Sequence, residues 1–282
     1  MARRALFTYF KPDRNLEEST IERVREAQQS LRQSEFLYCQ AEQLVLDELR
    51  WDKLDLSQSN SYAIPLSQAK DVSRIDAEHF QPKYEKLLAH IKKVGKTKQI
   101  QEFLNEPILK GITPDYIPDE EIVVVNSQHL GRYCLNFEAT DRTSVSFWKG
   151  NKRAHIKQYD VMIYATGAYI GRANPYLESA RALAGVDLLL LRPNEECNPL
   201  YLSVYLNALP GMWQAEKFAS GSGQRHIYPD NVKQFLVYLP PSEFQEKIAD
   251  LVLQSYQARK EAKALLEEAK RRVEELIEKR GA

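Results

Sequence analysis

The residues of this chain best suited to chemistry are cations and amides gathered in a few stretches, and what they suit is the binding of anions. The stretch Arg142-Thr-Ser-Val-Ser-Phe-Trp-Lys-Gly-Asn-Lys-Arg-Ala-His-Ile-Lys157 holds Arg142, Lys149, Lys152, Arg153 and Lys157 and no acidic residue. Its centre, Lys149-Gly150-Asn151-Lys152, reads as a hairpin tip that lifts Lys152 and Arg153 off the domain. Such a finger neutralises phosphates and sets Arg and Asn151 against base edges; an ordinary solvated turn is the plainer reading. A second stretch, Tyr164-Ala-Thr-Gly-Ala-Tyr-Ile-Gly-Arg172, follows a strand, and its glycines permit sharp turns and close backbone approach. It is either a ligand loop offering Tyr169 and Arg172 or a structural turn. Its glycine spacing is not that of a dinucleotide-binding fingerprint. A third, Ser220-Gly-Ser-Gly-Gln-Arg-His226, carries Ser222, Gln224, Arg225 and His226. It could bind phosphate through its amides or be a plain connection. A weaker fourth, Gly111-Ile-Thr-Pro-Asp-Tyr116, presents Asp115 and Tyr116 on a loop stiffened by Pro114.

No catalytic set accompanies these stretches. The five histidines are scattered, and none falls in a His-Glu-x-x-His or similar metal pattern. There is no Walker loop, nucleophile elbow, adenine-methylating signature or nuclease motif. Together these absences favour a binding protein that needs no cofactor and no metal. Lys+Arg and Asp+Glu number 39 each, so only local clustering can speak for nucleic acid. Cys39, Cys134 and Cys197 lie far apart and read as reduced thiols of a cytoplasmic protein. No apolar run approaches the ~18 residues of a membrane span.

The elements that must position the basic stretches are legible from periodicity. Residues 1–14 read as a loose arm. A long helix follows over 15–51, capped by Asn15 with Glu18 three residues on. Its seam includes Ile21, Val24, Ala27, Leu31, Ser34, Tyr38, Ala41, Val45 and Leu49. A second long helix follows Pro240-Pro241, with Ser242 and Gln245 as a capping box, and runs to Gly281. Its seam includes Ile248, Leu251, Ser255, Ala258, Ala262, Leu265, Ala269, Val273 and Leu276. At roughly 38 residues it is about 57 Å long, more than a compact domain needs. Two such seams call for an antiparallel pair, within one chain or across a dimer. Between the helices, short β-like runs at 122–125, 161–164, 186–191 and 235–239 alternate with turns. The expected fold is α+β: one mixed globular domain over 60–240, flanked by long coiled-coil-type helices at 15–51 and 241–282.

The order of the pieces carries a resemblance. A helix ends in Glu48-Leu-Arg-Trp51, and a mixed domain opens with Ile75-Asp76-Ala77-Glu78 and continues through Gly111-Ile-Thr-Pro114. Then come Tyr159-Asp160-Val161-Met162-Ile163, Gly167-Ala-Tyr-Ile-Gly171, Ser220-Gly-Ser-Gly-Gln224, Leu239-Pro-Pro241 and Gln245-Glu-Lys-Ile248. Over about 15–280 this resembles the specificity subunit of type I restriction–modification systems. The resemblance implies a target recognition domain that reads double-stranded DNA, and spacer helices that dock the adenine methyltransferase (modification) subunit. Catalysis would then belong to partners: methylation of a flipped adenine to the modification subunit, and cleavage to the restriction subunit. The family usually has two recognition domains. One domain here implies a half-subunit that pairs as a homodimer or with another half, or else the second half of a split gene. A recognition module of a fused restriction–modification enzyme and a coiled-coil scaffold with a protein-binding domain are the alternatives.

Overall fold

The computed structural model describes residues 14–55, 57, 61–136, 141–221 and 223–281, the side chains of 14–17, 276 and 279–281 excepted. The arm expected at 1–14 lies outside the described residues but for Arg14, as do Ser222 and the side chain of Leu276. The fold is α+β. In chain order the elements are α1 (Arg14–Glu48), α2 (Leu66–Asp71), α3 (Pro82–Val94), β1 (Thr97–Gln99), β2 (Leu109–Lys110), β3 (Ile122–Val125) and β4 (Asp141–Thr143). They continue with α4 (Val145–Gly150), β5 (His155–Ile156), β6 (Val161–Tyr164), β7 (Ala173–Pro175), β8 (Ala182–Ala184) and β9 (Leu188–Leu191). Last come α5 (Pro199–Asn207), α6 (Leu209–Phe218), α7 (Pro229–Val232), β10 (Leu236–Tyr238) and α8 (Ser242–Gly281). The chain forms two units: the described parts of Met1–Leu37 and Leu253–Ala282, and Tyr38–Val252.

In the first unit α1 and α8 pair antiparallel. The serine of each seam finds the other: Ser34 Oγ and Ser255 Oγ lie 3.0 Å apart, and Ser255 Oγ donates to the Ser34 carbonyl at 2.7 Å. Both are buried, as are Ala27, Ala262 and Ala269, whose small side chains let the helices approach. Arg272 donates to Ser19 Oγ at 3.1 Å and reaches Glu268, which also faces Arg23 at 3.6 Å. Val24, Leu31 and Leu265 are half-buried. The expected seam opens at Ile21 and Val273, 43% and 42% exposed. A straight helix drifts by ~20° per heptad, so a constant seven-residue spacing leaves the contact face.

The second unit buries the rest of the two seams in its own core. Val45 and Ile248 join Tyr38, Ala41, Leu49, Ala249 and Val252 in the main cluster, with Leu251 packed against it. Tyr38 accepts from Asn207 Nδ2 at 2.7 Å, and Tyr238 donates to Glu48 at 2.9 Å. Seam spacing announces a buried face and is silent on what covers it; here the cover is α5 and the sheets. The capping box expected at Ser242 is replaced. Gln245 is buried and accepts from Asn198 N at 2.8 Å, while its Nε2 donates to the carbonyls of Glu196 and Pro240. A buried amide with both ends satisfied outweighs a solvated cap.

Three sheets organise this unit. β1 pairs β10; one four-stranded sheet runs β2-β9-β6-β7 and another β4-β3-β8-β5. Every pairing is antiparallel except β3 with β8. β3, β6 and β9 are near-continuous Val, Ile, Leu and Met runs, as strands covered on both faces require. Gly111 lets two chains cross closely: a Cβ there would stand 1.9 Å from the Gly185 carbonyl oxygen.

Candidate nucleic-acid interface

The stretch 142–157 is not a finger. Ser144 caps α4, accepting from Phe147 N at 3.1 Å, and Asn151 Nδ2 closes the other end on the Phe147 carbonyl at 2.8 Å. Lys152–Ala154 then form a single 3-10 turn. Phe147 and Trp148 pack beside Ile122, Ala154 and Leu183. Trp148 also stacks flat on His155 with centroids 4.0 Å apart, and its buried Nε1 has no hydrogen-bond partner among the described residues. Two capped ends and an aromatic anchor favour a helical turn over the hairpin that Gly150-Asn151 suggests. Asn151 is thereby spent on structure. Arg142, on β4, is held apart by the carbonyls of Glu120 and Glu121 at 3.3 and 3.2 Å.

What the fold gathers instead is a cleft of about 750 Å³ lined by Lys149, Lys152, Arg153 and Lys157 with Glu106 and Arg192. Lys157 faces Glu106 at 3.2 Å. Arg192 bridges Glu106 at 2.8 Å and Asp160 at 2.8 and 3.0 Å, and donates to the His155 carbonyl at 2.6 Å. Burial pushes the Asp160 carboxyl up, against the pull of Arg192 and of the Lys157 amide. The Arg192 hydrogen bond, with that of Lys157, holds Glu106 below its ordinary value. Burial works against the Arg192 charge, but its carboxylate partners outweigh burial and raise it. Two carboxylates therefore neutralise the part-buried Arg192 and the exposed Lys157, while Lys149, Lys152 and Arg153 are exposed and have no ion-pair partner among the described residues. Free cations on a concave wall can take up an anion without first breaking a bond within the protein. Sequence reading missed Arg192; the signal was an arginine ending the apolar run Leu188–Leu191, which has to meet a carboxylate once buried.

The second and third stretches come together. Thr166 bridges His226, Gly167 N donates to the Arg225 carbonyl at 3.0 Å, and Thr166 Oγ1 lies 3.2 Å from His226 Nδ1. Ser220 and His226 exchange backbone bonds of 2.9 and 2.7 Å, closing a tight loop with Gln224 exposed on it. Tyr169, Arg172 and Arg225 line one cleft of about 580 Å³ with Arg132, Glu42 and Glu216. Arg172 stacks on Tyr169 at 3.9 Å and donates to the Leu130 carbonyl; Arg225 donates to the Glu216 carbonyl; Arg132 stands 3.8 Å from Glu42. These arginines are engaged and share their cleft with carboxylates, so they attract phosphate less than the first cleft does. The two clefts flank β6: Lys157 precedes it, and the 165–172 loop follows it after about 13 Å of strand.

A family model for the type I restriction modification DNA specificity domain matches residues 89–271, more than half of the chain. The chain belongs to that family. Among solved structures it is similar to a chain of a type I R-M system studied for complex assembly and conformational transition: 14% identity, TM-score 0.44, covering 94% of this chain and 58% of that one. It is similar also to the HsdS subunit from Thermoanaerobacter tengcongensis, with 14% identity, TM-score 0.42 and coverage of 93% and 57%. The S subunit of the type I system of M. genitalium shows 13% identity, TM-score 0.40 and coverage of 56% and 38%. The chain thus spans between 38% and 58% of the length of these solved chains. No curated protein matches it. Among the described residues no helix is long and apolar enough to cross a membrane.

Proposed function

We propose that this chain is a non-catalytic DNA-recognition subunit of a type I restriction–modification complex, reading one half of a bipartite site. In this reading the recognition domain occupies 60–240, and the helices at 15–51 and 241–282 are spacers that dock the adenine modification subunit. The restriction subunit joins through that complex. A second recognition domain, from another copy of this chain or from a different one, supplies the other half-site. Lys149, Lys152, Arg153 and Lys157 hold phosphates. Arg172, Gln224, Arg225 and His226 serve base edges or the backbone nearby. Seam residues such as Ile248 and Leu265 serve assembly.

The observation that carries the reading, beside family membership, is the trio of unpartnered cations in the Lys149–Lys157 cleft. Phosphate contacts release counterions, so affinity should fall with salt at a slope of about −0.9 per contact. Anisotropy titrations of the full chain with a random-sequence duplex should give a slope near −3 from that trio. Binding without salt dependence, or no binding with or without the modification subunit, would contradict the proposal.

A further inference from the structure

Four non-glycine residues among those described hold a left-handed backbone: Arg50, Ser73, Asp119 and Tyr159. Arg50 follows α1 and Ser73 follows α2, where such a residue is an ordinary helix ending. Asp119 is of a type that tolerates the conformation. Tyr159, at φ 69°, has neither excuse.

It is the third residue of a turn closed by Asp160 N donating to the Lys157 carbonyl at 3.0 Å, a position glycine normally takes when φ is positive. The turn is fixed from several sides. Tyr159 N donates to the Tyr176 carbonyl at 2.8 Å, Asp160 accepts from Lys157 N at 2.8 Å, and Arg192 grips the same carboxylate. Tyr159 is 45% exposed, belongs to no hydrophobic cluster, and its hydroxyl has no hydrogen bond among the described residues. Strained residues that the surroundings over-determine concentrate where a ligand is met. Here the turn begins at Lys157, a wall of the cationic cleft.

We infer that Tyr159 is a specificity-determining residue, whose ring and free hydroxyl contact a base pair of the duplex that the Lys149–Lys157 cleft holds by its phosphates. The inference rests on the function proposed above and deepens it. Phosphate contacts set register without carrying sequence; an exposed tyrosine on a fixed turn, two residues from the Lys157 wall of the cleft, supplies apolar contact together with a hydroxyl that donates and accepts.

The test uses the full chain, a duplex library with a randomised centre, and two variants suited to the turn, Tyr159→Gly and Tyr159→Asn. Enriched sequences, affinity for unselected duplex and unfolding temperature are compared with the parent. Both variants should unfold at or above the parent's temperature, keep the parent's salt slope on unselected duplex, and lose about tenfold discrimination at one or more motif positions. If the parent enriches a motif and both variants keep it with equal discrimination, the inference fails and the proposed function stands. If the parent enriches nothing, with or without the modification subunit, the proposed function fails and takes the inference with it. Variants that unfold below the parent would show that the ring is structural, which overturns the inference.

Discussion

Replacing Lys152 and Arg153 together by alanine separates phosphate binding from structural roles. Both side chains are exposed and unpaired, so stability should change by no more than about 0.5 kcal/mol. Each lost phosphate contact removes about 0.9 from the slope of log affinity against log salt, so the double variant should lose about 1.8. At about 0.1 M salt each contact is worth about eightfold, and the pair about sixtyfold; at about 0.5 M the pair shrinks to three- or fourfold. Lys157 behaves differently, because Glu106 already holds it at 3.2 Å. Its removal should lower the slope by less than one unit, and Glu106→Gln should tighten binding by freeing it. Anisotropy titrations across that salt range read all three. An unchanged slope, or one affinity loss at every salt concentration, would refute the assignment of these cations to phosphates.

Arg192→Ala strands Asp160, whose side chain is 3% exposed, and should cost about 3–5 kcal/mol in urea unfolding; a loss below about 1 kcal/mol would contradict the pairing. His79 is buried between Phe80 and Phe218, donates from Nδ1 to the Lys217 carbonyl at 2.7 Å, and burial, with Lys217 and Arg74 nearby, lowers its pKa. Below its ordinary value of about 6.5 the unfolded chain takes up a proton that the folded one refuses, so stability falls as pH drops through that point. His79→Gln should remove this part of the pH profile in thermal melts. Gly111→Ala drives a Cβ against the Gly185 carbonyl and should cost about 1–3 kcal/mol by denaturant titration. Ser34→Ala takes one hydroxyl from the buried pair but leaves Ser255 its bond to the Ser34 carbonyl, so a loss of about 1 kcal/mol is expected, and more than about 3 kcal/mol would contradict it.

Much of the scaffold was legible because its signals are local. Leu188–Leu191, Val161–Tyr164 and Ile122–Val125 are apolar runs of strand length, and Pro240-Pro241 cannot sit inside a helix, which marks where α8 begins. Matched seams called for an antiparallel pair, within one chain or across a dimer; that α1 and α8 of one chain pair, and that Ser34 meets Ser255, the structure alone supplies. Less legible was whatever depends on what arrives from elsewhere in the chain. The turn chemistry of Gly150-Asn151 lost to the Ser144 cap and the Trp148–His155 stack. Gln245 was claimed by Asn198, a residue 47 positions away. The cationic cleft itself was half visible: its lysines and Arg153 lie in one stretch, while Glu106 and Arg192 come from other elements. Tyr159 leaves no mark in periodicity, because a left-handed φ is a property of the folded turn.

The most direct test of the central claim is a methylome. The chain is expressed with a cognate adenine modification subunit in a host lacking background methylation, and the host DNA is sequenced for N6-methyladenine. An interrupted motif that appears only when this chain is present is the predicted result; a palindromic motif would mean two copies of this chain, and an asymmetric one a different second half. An assembled, active modification subunit that methylates no motif, or the same motif with this chain left out, would contradict the account.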